Sequence, residues 1–261
     1  MIYFSVIIIL TMKDKNKEIY MQVDLKNQVA LVTGSSRGIG RSIGIELAHS
    51  GAHVYLCARS KDRLEKVKQD IESMGGSATA VPTDLSIEAE LKNMYRQIEE
   101  KSGRLDIVVN NAGIGMWGKL VDFPIEDFDK MININLRSMY LSCQQALKMM
   151  IPAGSGFIIN ISSVVGFKGY VNQSAYTATK HGVMGLTKSL SAEVQEHGIC
   201  VSAILPGGVD TDFIGAARPD LDRSVLISPE DIARAVLFLL SLSPTAMVDQ
   251  IYVRRRTGTP F

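Results

Sequence analysis

Cysteine is scarce: three residues in 261, scattered at Cys57, Cys143 and Cys200, form no CxxC pair and no Cys/His cluster. That argues against a disulfide framework or a structural zinc and fits a reducing, cytoplasmic setting. The four histidines, His49, His53, His181 and His197, show no metal-ligand spacing, so no metal is expected. An excess of one charge sign is missing too. The 28 basic and 27 acidic residues leave a net charge of +1, which gives no electrostatic reason to bind nucleic acid. Nor is there a long apolar run. The stretch 1–12 falls short of the ~20 apolar residues that span a bilayer. It also lacks the basic start and small-residue cleavage site of a secretory signal. No stable membrane insertion is expected. Residues 1–20 read as a disordered extension, either upstream of a start at Met12 or Met21 or lying weakly on a membrane surface. One domain follows over 21–261.

What is present is ordinary for a globular enzyme: 46% hydrophobic and 21% charged residues, enough chain for one α/β core. Short apolar runs at 29–32, 54–57, 78–81, 107–109, 157–161, 201–205 and 251–253 predict strands, most of them bounded by Gly, Asp, Asn or Pro. Between them, 39–50, 61–74, 87–101, 125–150, 175–196 and 229–242 read as helices. The last opens Ser228-Pro229-Glu230-Asp231, a capping pattern with proline at the first helical position. Regular alternation implies right-handed crossovers. The expected fold is a single doubly wound, Rossmann-type α/β domain, with a parallel seven-stranded sheet and helices on both faces.

The first strand runs into Thr33-Gly34-Ser35-Ser36-Arg37-Gly38-Ile39-Gly40 and then a helix. Glycines there allow a tight turn and close backbone approach to a pyrophosphate, and the helix N-terminus supplies N–H groups. The spacing is G-x-x-x-G-x-G, not the commoner G-x-G-x-x-G. After the second strand, where an acid would bind the ribose hydroxyls of NAD, the chain has Ala58 and Arg59. Arg37 and Arg59 could converge on a 2′-phosphate, which predicts NADP(H).

Further along, Tyr176 and Lys180 stand four residues apart, on one face of a helix. A phenol with a pKa of about 10 is a poor acid or base at neutral pH. A neighbouring ammonium favours the phenolate and predicts a lowered pKa, suited to interconverting a carbonyl and an alcohol. His181 would point away from that face, toward the surface.

Over 23–253 the chain resembles the short-chain dehydrogenase/reductase family. The resemblance rests on the glycine turn, Asp84-Leu85, Asn110-Asn111-Ala112-Gly113, Asn135, Ser163, Tyr176-x-x-x-Lys180 and Pro206-Gly207, in that order. It implies roles. Tyr176 would protonate the carbonyl oxygen as hydride arrives from the nicotinamide, and Ser163, not Ser162, would hydrogen-bond that oxygen. Lys180 would tune Tyr176 and hold the nicotinamide ribose, and Asn135 would hold a water in a proton relay. Asp84 would contact adenine, with Leu85 beside it. Asn111, Ala112 and Gly113 would line the cofactor floor, and Pro206, Val209 and Thr211 the carboxamide end.

Two departures bear on the substrate. The chain lacks a glycine-rich ending, having Arg254-Arg255-Arg256 instead, and 211–228 is short for a substrate lid. The expected activity is NADP(H)-dependent interconversion of a ketone and a secondary alcohol, with a 3-oxoacyl or 3-hydroxy acid as one substrate type. The alternative is an inactive NADP-sensing protein of the same fold. The pocket is expected from 115–119, 164–171 and 213–218. The resemblance also implies a homodimer or homotetramer paired through helices 125–150 and 175–196.

Overall fold

Alternate side chains of a strand leave by opposite faces, and in the first strand Ala30 and Val32 enter one apolar cluster while Val29 and Leu31 enter another. The computed structural model describes residues 6–7, 22–217 and 222–258. Its strands are β1 (Val29–Thr33), β2 (His53–Ala58), β3 (Ser77–Pro82), β4 (Ile107–Asn110), β5 (Gly156–Ile161), β6 (Ile199–Pro206) and β7 (Gln250–Val253). They form one seven-stranded sheet in the order 3-2-1-4-5-6-7, parallel at every pairing. The order reverses between β1 and β4, so a crevice opens beyond their C-terminal ends.

The α-helices among the described residues are α1 (Gly38–His49), α2 (Lys61–Ser73), α3 (Glu88–Ser102), α4 (Ile125–Ile132), α5 (Ser138–Ala153), α6 (Ser174–Val194), α7 (Asp212–Ala217) and α8 (Pro229–Leu240). Ile43 and Leu47 of α1, Leu64 and Ile71 of α2 and Val236 of α8 are buried on one face of the sheet. Leu91 and Ile98 of α3, Ala146 of α5 and Val183 of α6 are buried on the other. The expected cap of α8 is present, Ser228 Oγ accepting from Asp231 N at 3.2 Å. Among the described residues no helix is long and apolar enough to cross a membrane.

Two differences from the sequence expectation bear on the site. Residues 125–150 are not one α-helix: a π turn, Asn133–Arg137, separates α4 from α5. Apolar periodicity runs through such a turn without marking it. Residues 211–228, read as a short lid, contain α7 and a 3₁₀ turn, Arg223–Val225. In the N-terminal extension, Val6–Ile7 pairs antiparallel with Gln22–Val23. The rest of 1–20, expected to be disordered, lies outside the described residues, as does Arg218 of the expected pocket.

Candidate active site

The C-terminal end of β1 is tied to the loop after β4. The Thr33 hydroxyl accepts from Asn111 N at 2.9 Å and Ala112 N at 3.1 Å, and Asn111 Nδ2 donates to Thr33 O at 2.9 Å. The chain turns at Gly34 with φ +67°, where a Cβ would lie 2.9 Å from Ala112 Cα, so only glycine fits. Helix α1 begins with no side-chain cap and no acidic residue in its first turn, leaving its positive end unneutralised. Bare backbone and free N–H groups fit a dinucleotide pyrophosphate.

Gly34, Ser36, Arg37, Gly38 and Ile39 line a cleft of about 1150 Å³. Ser35 and Gly40, expected to touch the cofactor, do not line it. Ser35 is fully buried and donates through its hydroxyl to Cys57 O at 3.4 Å, fastening the turn to β2. Gly40 lies so close to Gly34 O and Asn111 Nδ2 that a Cβ there would collide; its role is packing of α1 on β1.

At the end of β2, Ala58 and Arg59 line the cleft as expected, and Arg63 of α2 joins them. The sequence reading missed Arg63, since nothing in its spacing separates it from an ordinary solvated helix face. Arg59 and Arg63 make no ion pair among the described residues. Arg37 pairs with Asp212 of α7 at 3.0 Å, both exposed. Asp84 accepts from Ser86 Oγ at 2.7 Å and Ser86 N at 2.9 Å. The Ser86 hydroxyl foremost, then its N–H and the Arg59 charge, hold the Asp84 carboxyl below its ordinary range against the opposing effect of burial. Leu85, Asn111, Ala112 and Gly113 lie along the same cleft, with Pro206, Val209 and Thr211 on its far wall. That wall is held by Asp210 N donating to Ile227 O at 2.8 Å.

At the inner end Ser163, Tyr176 and Lys180 come together. Ser163 follows β5, and its hydroxyl donates to Pro206 O (3.4 Å), accepts from Val165 N (3.3 Å) and is near enough to the Tyr176 phenol to influence its titration. Ser162 is structural, donating to Lys180 O at 3.2 Å. The Lys180 ammonium lies 5.8 Å from the Tyr176 ring centroid and donates to Ile161 O at 3.0 Å.

Burial dominates both groups. It lowers the Lys180 ammonium to about 8 and pushes the Tyr176 phenol above its ordinary value, the Ser163 hydroxyl opposing the latter. The expectation that Lys180 lowers the phenol below its usual pKa is therefore corrected for the cofactor-free chain: spacing revealed adjacency but not depth. A phenol so held is protonated at neutral pH and able to donate.

Asn135 does not line the cleft. Its Oδ1 accepts from Ile114 N (2.8 Å), and its Nδ2 donates to Ile114 O (2.8 Å) and Thr179 Oγ1 (3.1 Å). Both amide hydrogens are thus spent on the loop after β4 and on α6. Gly113 sits between Asn135 and Lys180; a Cβ there would be 3.3 Å from Asn135 Oδ1 and 3.7 Å from Lys180 Nζ. His181 is at the surface, as expected, its Nδ1 3.0 Å from Thr177 O.

The apolar flank of Tyr176 holds Met131, Val165, Phe123, Phe128, Trp117 and Phe213. Among the described residues no group of three or more His, Cys, Asp or Glu could hold a metal ion.

Residues 28–222 match the short chain dehydrogenase family. An uncharacterized oxidoreductase of Staphylococcus aureus (strain N315) is 36% identical over 230 residues, 88% of this chain and 98% of that protein. A metagenomic short-chain oxidoreductase, solved in complex with NADP, is 35% identical with a TM-score of 0.78, covering 89% of this chain and 99% of that one. An alcohol dehydrogenase from the archaeon Thermococcus sibiricus, complexed with 5-hydroxy-NADP, is 30% identical with a TM-score of 0.83, covering 90% and 99%. With a family match over most of its length and relatives that share its whole fold, the chain belongs to the short-chain dehydrogenase/reductase family and is an NAD(P)-dependent oxidoreductase.

Proposed function

We propose that this chain uses NADP(H) to interconvert a small-molecule ketone and a secondary alcohol. The observation that carries the reading is the meeting of Ser163, Tyr176 and buried Lys180 at the inner end of the cleft that begins at the Gly34 turn. Bound along that cleft, the nicotinamide would supply the hydride that reduces the carbonyl carbon. The Tyr176 phenol donates its proton to the carbonyl oxygen, and the Ser163 hydroxyl donates a hydrogen bond to the same oxygen as charge develops. Lys180 holds the nicotinamide ribose hydroxyls and, as a cation, stabilises the phenolate left behind. Asn135 braces the loop carrying Gly113 against α6 and so fixes the space Lys180 occupies; a relay water would use the Oδ1 lone pair its own bonds leave open.

NADP(H) is favoured by three guanidiniums, Arg37, Arg59 and Arg63, and by the absence of an acid at Ala58. The NADP in one relative's structure and the 5-hydroxy-NADP in another's support the same reading. For a 3-oxo or 3-hydroxy acid, Arg255, a half-buried cation of the cleft beside Gly208, is a candidate partner for the carboxylate. The test is NADPH oxidation followed by absorbance over a panel of carbonyl compounds, with NADH in parallel. Turnover with NADPH supports the reading, and equal kcat/KM for the two cofactors refutes the NADP(H) assignment.

A further inference from the structure

Two aromatic side chains from separate elements meet over the proton donor. Trp117, in the loop after β4, lies 6.3 Å from the Tyr176 ring, and Phe213 of α7 lies 6.0 Å from it. Trp117 and Phe213 contact one another edge-on at 5.5 Å. The three rings close a triangle, and the backbone is shaped to admit it. A Cβ at Gly115 would lie 2.6 Å from both Phe213 Cζ and Trp117 Cζ2, so any larger residue there would force the rings apart. Around the triangle stand the apolar side chains of Met131, Val165 and Phe128. Of the cleft's cations nearby, Lys180 lies 5.8 Å from the Tyr176 ring and donates to Ile161 O, Arg223 is paired with Asp210, Lys130 with Asp127, and Arg255 flanks Gly208.

A carbonyl at the Tyr176 hydroxyl lies close to these rings. A flat apolar group next to the carbonyl replaces the ring contacts it displaces and buries its own surface. A carboxylate set against the rings loses water to an apolar surface. We infer that Trp117 and Phe213 act as an aromatic clamp that sets substrate choice, favouring neutral ketones with a ring beside the carbonyl, aryl or alicyclic, over short oxo acids. The inference rests on the reading of Tyr176 as proton donor.

Trp117 is the only tryptophan of the chain, so its emission reports the clamp directly. The probes are acetophenone, cyclohexanone, acetone and acetoacetate, with NADPH for turnover and NADP+ for non-productive complexes. The clamp predicts a higher kcat/KM for acetophenone and cyclohexanone than for acetoacetate. With NADP+ bound, it predicts a saturable change in Trp117 emission on adding cyclohexanone and none on adding acetoacetate. Trp117→Ala and Phe213→Ala should each lower kcat/KM for acetophenone by about tenfold or more, mostly through KM, with acetone little changed and the NADPH Kd held. The gentler Trp117→Phe and Phe213→Leu keep the test open should the alanine variants fold poorly; each should lower kcat/KM for acetophenone more than for acetone. Acetoacetate used as well as acetophenone, or substitutions that lower both alike, would overturn the clamp while leaving ketone reduction intact. Failure of every ketone to turn over with NADPH bound would count against the reduction itself; a saturable cyclohexanone response would still support the clamp, and its absence would overturn it.

Discussion

Lys180 holds a charge where the fold resists one. Its side chain is 3% exposed, and burial lowers its pKa from 10.5 to about 8. Between those values the unfolded chain binds a proton that the folded chain has released, so the folded state gains as pH rises through the window. Below about 8 the buried charge persists, and the gap corresponds to about 3 kcal/mol. In the cofactor-free chain a bond to Ile161 O at 3.0 Å is its offsetting contact. Replacing it by the uncharged Lys180→Met removes the titration at similar volume. The stability of wild type relative to that variant should therefore rise by about 3 kcal/mol between pH 7 and 10.5. At roughly 2–4 °C per kcal/mol in a chain of this size, the difference in Tm should swing by about 6–12 °C toward wild type. Thermal unfolding of both proteins without cofactor, followed by circular dichroism across that range, measures it. A difference that stays flat with pH, or moves toward the variant, refutes the reasoning.

Other expectations are as direct. Arg59→Asp removes an exposed guanidinium and adds repulsion; the lost contact is at the low end of 1.5–3 kcal/mol, so NADPH binding should weaken by about tenfold or more with NADH spared, as titration calorimetry would show. A chain beginning at Met21 should keep its Tm and turnover, because buried Val23 and Leu25 already belong to the domain; loss of folding would mean that 1–20 packs on the body. The α5 surface exposes Tyr140 and Ile151, and pairing through α5 and α6 is expected to give a dimer or tetramer; a monomer by light scattering at micromolar concentration would refute it.

All seven strands of the sheet lie where apolar runs bounded by turn residues predict them, because a strand covered on both faces has little choice of side chain. The turn at Gly34 and the Tyr176–Lys180 pair were equally legible, since backbone conformation and helical spacing fix them. Depth was not legible. Ser35 reads as a cofactor-binding residue from its place in the turn, yet its hydroxyl is fully buried against Cys57 O. Asn135 reads as the holder of a relay water, and that both its amide hydrogens go to Ile114 O and Thr179 Oγ1 from within a π turn is something no apolar period announces. Arg63 and the ring contact of Trp117 with Phe213 depend on how distant loops meet, which one-dimensional spacing does not carry.

The central claim is that the Tyr176 phenol delivers the proton. Its test is Tyr176→Phe, compared with wild type for NADPH affinity and for turnover on a ketone that wild type reduces. The substitution removes only the hydroxyl, which acts in the transition state, so kcat should fall by about a hundredfold or more. The NADPH Kd should stay within about twofold, because cofactor binding draws on the Gly34 turn and the Arg59 end of the cleft. Near-wild-type kcat in Tyr176→Phe would place the proton donor elsewhere and contradict the account.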